Sequence, residues 1–315
     1  MKMVLGTMTF GQQVFFEEAE QMCKTFFDNG FNEIDTAYVY NEGECEKIVG
    51  RLLSNIENTQ IKIATKVNPR ITGRLDAEAV DRQFQESLGR MKVSKIDTLY
   101  LHFPDYNTPI ESALEACNKW YEKGCFERLG VSNFPAWLVV DIVRKCEKYG
   151  WVRPKVYEGL YNSLSRKAES ELFDALRALN ICFYAYNPLA GGLLTGKYGE
   201  YEEEPSEGRF TYRPNYQKRY WKKSYFDGIK LIQKACDNNG VKIVDAAIRW
   251  LAYHSLMDAD KEDGIIMGAS SVMQLKQNIT SLNSGDLPDE VLDAMENAWS
   301  LCKNDAPEYF RYYRI

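Results

Sequence analysis

Four polar residues sit at or just beyond short β-rich runs: Asp35 closes Asn-Glu-Ile-Asp, Tyr40 follows five residues later, Lys66 ends Ile-Ala-Thr-Lys, and His102 ends Leu-Tyr-Leu-His. Together these side chains can protonate a carbonyl oxygen. A phenol titrates near about 10, too high for efficient proton exchange at neutral pH, but a neighbouring ammonium favours the phenolate and lowers that value. Lys66 can supply the ammonium and Asp35 can hold it charged and oriented. His102, as a neutral donor, can fix the oxygen against Tyr40, which delivers the proton, and general acid catalysis of this type contributes roughly 10²- to 10⁴-fold. No side chain donates a hydride, so reduction of that carbonyl implies a nicotinamide cofactor. Taken singly, Asp35 reads as a helix cap, Tyr40 as rim packing, Lys66 as a solvated charge and His102 as a hydrogen-bonded structural residue. Their conjunction at the ends of consecutive strands is explained more economically by one shared site.

The elements that must position them recur with a regular period. Eight β-rich runs are expected: Met3 to Leu5, Asn32 to Asp35, Ile61 to Thr65, Thr98 to Leu101, Arg128 to Val131, Val156 to Gly159, Cys182 to Tyr186 and Gly264 to Met267. The first seven begin roughly 30 residues apart, the length of a βα unit, and the segments between them carry helical apolar spacing, as in Met22, Phe26 and Phe27 before Gly30. Gly30 and Gly124 stand where helix ends favour a left-handed residue. Strict alternation over eight units predicts one (β/α)8 barrel spanning residues 1–315 rather than an open doubly wound sheet, since no Gly-x-Gly-x-x-Gly turn follows the first strand. In such a barrel the carboxyl ends of the strands form the active face, which places all four residues at one mouth. The interval between strands seven and eight is about three times the others and holds Tyr198 to Tyr225, expected as a long rim loop that shapes a site.

Composition excludes other classes. A chain of 315 residues, 45% hydrophobic and 27% charged, supports a full core, and its net charge of −6 argues against a general nucleic-acid binder. The basic and aromatic segment from Arg209 to Lys223 could stack on a single strand, but it is short and the whole chain is acidic. Eight scattered cysteines without a Cys-x-x-Cys pair, with only two histidines, predict reduced thiols and no metal site. Of these, Cys45 and Cys182 are the ones expected near the mouth, with buried structural thiols as the default. The amino terminus enters strand-like material directly and no apolar run approaches about 18 residues, so no leader and no membrane span are expected, and the location is expected to be cytoplasmic.

The motifs resemble one known family. Gly6-Thr7-Met8 with Phe10-Gly11, Asp35-Thr36-Ala37 with Tyr40, Lys66, Leu101-His102, Gly130-Val131-Ser132-Asn133-Phe134, the run Tyr186 to Lys197 and Gly268-Ala269-Ser270-Ser271 resemble the aldo-keto reductase superfamily, nearest to its aflatoxin-aldehyde and succinic-semialdehyde reductase branch. The resemblance spans nearly the whole chain in family order. It implies NADPH lying extended across the barrel mouth, with NADH use also credible, an aldehyde or ketone substrate, and a possible homodimer. By position, Thr7, Met8 and Asp35 would contribute to cofactor binding. Ser132 and Asn133 would hold its carboxamide together with Glu158, and Tyr186 would stack on its ring. The run containing Asn187, Pro188, Leu189, Gly191, Gly192, Leu193 and Lys197 would wrap the pyrophosphate with Arg209 as a further cation. Ala269, Ser270, Ser271, Gln274, Gln277 and Asn278 would bind the adenosine end, where a helix N-terminus suits a phosphate.

Two departures from the pattern matter. Glu158 stands where many relatives carry Gln, and an ionised carboxylate there would favour the oxidised, positively charged nicotinamide. Gln274 and Lys276 stand where several relatives grip the 2′-phosphate with arginine. The resemblance also implies that Arg219 and Arg311 face acidic substrates, since a guanidinium fork pairs well with a carboxylate. The superfamily includes channel β subunits that keep barrel and cofactor yet act as partner-binding redox sensors, and this is the alternative reading.

Overall fold

The computed structural model describes residues 1–56, 60–203, 205 and 208–311. All eight expected strands form: β1 (Lys2–Gly6), β2 (Glu33–Asp35), β3 (Lys62–Val67), β4 (Ile96–Leu101), β5 (Phe126–Ser132), β6 (Pro154–Leu160), β7 (Cys182–Tyr186) and β8 (Gly264–Gly268). They close a barrel in sequential order, β8 pairing back to β1, with every neighbour parallel. Helices cover the outside, which is why the strands are apolar on both faces. The helix Phe16–Asp28 turns Ala19, Met22, Cys23 and Phe26 inward, and the chain leaves it through Gly30 at φ 84°, as the sequence predicts.

Inside the barrel a separate cluster of Val4, Tyr100, Val156, Cys182, Tyr184 and Ile266 fills the lumen. Lys66, Tyr100, Gly130 and Val156 lie in register across β3 to β6. Gly130 is required here, because a Cβ would stand 2.4 Å from the Tyr100 ring. The ring therefore forms a floor under Lys66, whose Nζ is 5.4 Å from its centroid. Below it, Arg128 binds Asp97 (2.8 Å from Nε) and Glu33 (3.2 Å), and the Tyr184 hydroxyl donates to Glu33 at 2.8 Å. This polar plug closes the amino end and leaves the carboxyl mouth open for chemistry.

The Tyr198 to Tyr225 stretch is not the plain loop expected. It contains helical turns at Arg209–Tyr212 and Pro214–Tyr220 and enters a helix at Lys223–Asn238. Burial of Phe210, Tyr216, Tyr220 and Tyr225 drives this order. They pack against the loop after β7, where a Cβ on Gly191 (φ 73°) would lie 2.9 Å from Tyr216. Among the described residues no helix is long and apolar enough to cross a membrane, and no group of His, Cys, Asp and Glu could hold a metal ion. All eight cysteines are free thiols. Cys182 starts β7 at the closed end, its thiol directed at the Lys155 carbonyl (3.3 Å), so the expectation that it lies near the mouth is corrected. Cys45 does lie by the mouth, bonded to the carbonyls of Thr7 (3.2 Å) and Phe10 (3.0 Å).

Candidate active site

The carboxyl ends of β2, β3, β4 and β6 bring Asp35, Lys66, His102 and Glu158 around one centre, with Tyr40 in the turn after β2. Lys66 is wholly buried and its three donors are engaged: Nζ bonds Asp35 Oδ2 and the Thr36 carbonyl (2.8 Å) and lies 3.2 Å from Glu158 Oε2. Its charge also sits 5.3 Å from the Tyr40 ring centroid. The Tyr40 ring meets His102 edge-on, with centroids 6.1 Å apart.

Burial opposes the Lys66 charge, but Asp35 and Glu158 outweigh it and hold its pKa above the ordinary lysine value. Two buried carboxylates facing one ammonium cannot both ionise easily. Burial pushes Asp35 up against the pull of Lys66. Burial, then the Asp35 charge, pushes Glu158 from 4.5 up to about 8. Burial and the neighbouring Asp35 charge thus disfavour the ionised form of Glu158, which opposes the expectation of a carboxylate beside the nicotinamide.

Tyr40 also departs from expectation. Burial, followed by the charges of Asp35 and Glu158, holds its pKa well above 10, whereas the sequence predicts lowering by Lys66. The Lys66 donors are turned to Asp35, Thr36 and Glu158 rather than to the phenol, and burial with the charges of those carboxylates outweighs the pull of the ammonium on Tyr40. Tyr40 is a secure proton donor and a poor base at neutral pH.

His102 conforms to expectation. Burial, then the charges of Lys66 and Arg70, holds its pKa well below the usual value, so the ring is neutral. Asn68, two residues beyond Lys66, places its amide nitrogen 3.2 Å from Nδ1. The amide is oriented because its Oδ1 accepts from the Arg70 backbone N–H at 3.0 Å. With Nδ1 accepting from Asn68, the ring proton resides on Nε2, free to hold a substrate oxygen. Buried Gln83 brackets the Asn68 backbone, accepting from its N–H (2.9 Å) and donating to its carbonyl (3.1 Å).

These groups open into a cavity of about 1230 Å³, larger than the roughly 300–1,000 Å³ of drug-sized sites and suited to an extended ligand. Thr7, Met8, Asn133, Glu158, Tyr186, Asn187, Pro188, Leu189, Gly191 and Gly192 line it near the centre. Lys197, Arg209, Ala269, Ser270, Gln274, Gln277 and Asn278 line it as well, as do Arg219 and Arg311. Ser132 and Leu193 are buried and are not among the lining residues. The Asn133 amide donates to the His102 carbonyl (3.0 Å) and Ser132 Oγ (2.9 Å) and accepts from the Tyr186 hydroxyl at 2.6 Å. Both expected carboxamide partners are thus already bonded to each other or to protein, leaving the Ser132 hydroxyl hydrogen and an oxygen lone pair of Asn133.

A nicotinamide still fits. Glu158, whose Oε2 lies 3.2 Å from the Lys66 ammonium, lines the cavity and keeps oxygen lone pairs that can accept from an amide N–H₂. Lys197 and Arg209 beside the glycine turn suit a pyrophosphate. The adenosine end is altered from expectation. Ser271 caps the helix Val272–Leu282 by accepting from the Gln274 N–H at 3.2 Å, and Glu18 Oε1 accepts from the Val272 N–H at 2.8 Å. Ser271 is outside the cavity lining, and two helix N-terminal donors expected to meet a phosphate are occupied.

Sequence reasoning missed Asn68, whose only signal is its place in Lys-Val-Asn-Pro at the end of β3. It also missed Arg70, and Arg213, whose Nη2 donates to Asn41 Oδ1 (2.5 Å) and Gln12 Oε1 (3.0 Å), tying the segment after β7 to the loops after β1 and β2.

Comparison with known proteins agrees with this geometry. Residues 2–300 match the Aldo/keto reductase family. The chain is 39% identical to human aldo-keto reductase family 7 member A3, covering 98% of this chain and 96% of that protein. It is also 39% identical to human aflatoxin B1 aldehyde reductase member 2, over 98% of this chain and 89% of the relative. The rat protein of that name is 39% identical over 98% and 87% respectively.

Proposed function

The chain belongs to the aldo/keto reductase family, and from that premise we propose that it reduces aldehydes and reactive carbonyls with NADPH, NADH serving as a second donor. The observation that carries this reading is the pairing of a firmly protonated Tyr40 with a neutral His102 whose Nε2–H is free, both lining a cavity of about 1230 Å³. The chemistry that a reduced nicotinamide would supply when bound is a hydride for the carbonyl carbon. His102 holds the carbonyl oxygen by its Nε2–H, and Tyr40 gives that oxygen its proton as negative charge develops there. The buried Lys66, with Asp35 beneath it, stabilises the phenolate left on Tyr40. Glu158 and Asn133 would hold the carboxamide, Tyr186 would stack on the ring, and Lys197 and Arg209 would face the pyrophosphate.

Aflatoxin B1 aldehyde reductase is the printed name of relatives, and an aldehyde substrate for this chain follows by similarity. Arg219 and Arg311 in the cavity wall favour aldehydes that carry a carboxylate. The test is oxidation of NADPH and of NADH, followed by absorbance, with 4-nitrobenzaldehyde and succinic semialdehyde. Turnover abolished by Tyr40→Phe supports the mechanism. Tight cofactor binding without turnover would instead support a sensor.

A further inference from the structure

The chain that leaves Tyr40 takes a costly path. The next three residues, Asn41, Glu42 and Gly43, all have left-handed backbones, with φ 46°, 57° and 90°. Glycine adopts that region freely, but asparagine and glutamate do so against steric resistance, and such a run persists only where its surroundings over-determine it. One hold on it is the Asn41 amide, which donates to the carbonyls of Phe10 (2.7 Å) and Met8 (3.1 Å). The other is Arg90, in the last turn of the helix Ala77–Met91. Its Nη1 donates to the Tyr38 carbonyl at 3.1 Å, and its guanidinium lies 4.1 Å over the Tyr38 ring. The Tyr38 hydroxyl donates to Glu86 (2.5 Å), one helical turn before Arg90. The guanidinium also fills the space beside Gly43, where a Cβ would stand 2.8 Å from Cζ. Arg90 thus grips the turn on both sides of Tyr40.

Arg90 also ties this turn to the strand that carries Lys66. Its Nη1 donates to Glu46 Oε2 at 2.9 Å, and Glu46 Oε1 accepts from the Thr65 hydroxyl at 2.6 Å. Glu46 and Thr65 are buried, and Thr65 immediately precedes Lys66 on β3. Two turns earlier on the same helix, Gln83 brackets the backbone of Asn68, so one helix supports both the Tyr40 turn and the residue that orients His102. Arg90 does not line the cavity, and it acts on the reaction only through the turn. We propose that Arg90 is a positioning residue for Tyr40, holding the phenol in register with Lys66 through the Tyr38 carbonyl and the buried Glu46. This role rests on the reductase reading, in which Tyr40 donates the proton.

Removal of Arg90 alone leaves the buried Glu46 carboxylate unpaired and endangers folding, so the experiment uses the double variant Arg90→Met with Glu46→Gln, beside Arg90→Lys. The glutamine still accepts from Thr65, and the lysine keeps a cation with donors for the Tyr38 carbonyl and Glu46. In the double variant kcat for 4-nitrobenzaldehyde with NADPH falls on the order of tenfold, because displacing a reacting group by about 1 Å costs up to about 10²-fold. NADPH binding, followed by tryptophan fluorescence, stays within about twofold, and the solvent deuterium isotope effect on kcat rises as proton transfer slows. Arg90→Lys recovers kcat to within about threefold of wild type. Wild-type kcat, an unchanged isotope effect, or a loss of NADPH binding equal to the loss of kcat overturns the proposal, as does an Arg90→Lys variant no better than the double variant. If wild type reduces no aldehyde, the reductase reading fails separately, and amide hydrogen exchange across residues 38–43 decides whether Arg90 holds the turn. Exchange quickened on the order of tenfold in the double variant supports the hold, and unchanged exchange overturns it.

Discussion

The amide nitrogen of Asn68 stands 3.2 Å from Nδ1 of His102, and this contact decides which ring nitrogen carries the proton. An amide oriented by the Arg70 N–H leaves Nδ1 as acceptor and Nε2 as donor. Asn68→Asp reverses this, because a carboxylate accepts from Nδ1–H, which leaves Nε2 without a proton in the neutral ring, and it also raises the pKa of the ring. Loss of the oriented donor is expected to lower kcat by roughly 10- to 10²-fold. His102 should also gain a resolvable titration near neutrality, visible by NMR in the variant and absent in wild type. Unaltered kcat in a variant that gains this titration would show that tautomer control is unimportant.

Glu158 makes cofactor preference depend on pH. Its pKa near 8 means that the carboxylate appears only as pH rises through that value. Above it, negative charge beside the ring favours the oxidised nicotinamide. The ratio of NADP⁺ to NADPH affinity in wild type is expected to climb between about pH 7 and 9 and to stay level in Glu158→Gln. Fluorescence titration at several pH values measures it.

The same shift has a stability consequence of definite sign. A carboxyl whose folded pKa is raised from 4.5 to about 8 binds more protons folded than unfolded within that window. Its favourable contribution is complete below the unfolded value and is lost as pH rises through the folded one. Wild type should therefore lose melting temperature relative to Glu158→Gln across that window, with the gap constant above it. A gap that does not vary with pH would mean that Glu158 is not protonated in the fold.

The fold was legible because local pattern and global architecture agree. Short β-rich runs at near-constant spacing admit few alternatives to eight parallel strands, and polar residues ending those runs had to meet at one mouth. What stayed hidden depends on burial and on contacts across the barrel. The protonation of Glu158 arises from its distance to Lys66 on β3 and from Asp35 on β2, which no local pattern encodes. The order of the segment after β7 comes from Phe210, Tyr216 and Tyr220 packing on a loop about 20 residues or more earlier, a tertiary effect that overrides its loop-like composition. Ser271 was given to the cofactor although a serine before a helix is equally a cap, which is how it is used.

Arg213 is expected to slow the release of a bound dinucleotide. Its bonds to Asn41 and Gln12 tie the segment after β7 across the cavity to the loops after β1 and β2. Arg213→Ala removes both, and charge-assisted bonds of this kind contribute about 1.5–3 kcal/mol where sheltered and less at the surface. NADPH dissociation followed by stopped-flow fluorescence should quicken severalfold. If product release limits turnover, kcat rises with it.

Glu18 is expected to weaken the preference for NADPH over NADH. Its carboxylate accepts from the Val272 N–H at 2.8 Å, at the helix N-terminus beside Ser270 and Gln274, the residues proposed for the adenosine end. A helix N-terminus is otherwise attractive to a phosphate, through its unpaired N–H groups and its partial positive charge. Occupation by a carboxylate both takes one donor and adds a like charge near the 2′-phosphate, the only group by which the two cofactors differ. Glu18→Gln keeps an acceptor for the Val272 N–H and removes the charge. The KM for NADPH should fall several-fold while that for NADH stays within about twofold, and the difference should shrink at high salt, where screening shortens to about 3 Å. Equal changes for both cofactors would place the 2′-phosphate elsewhere.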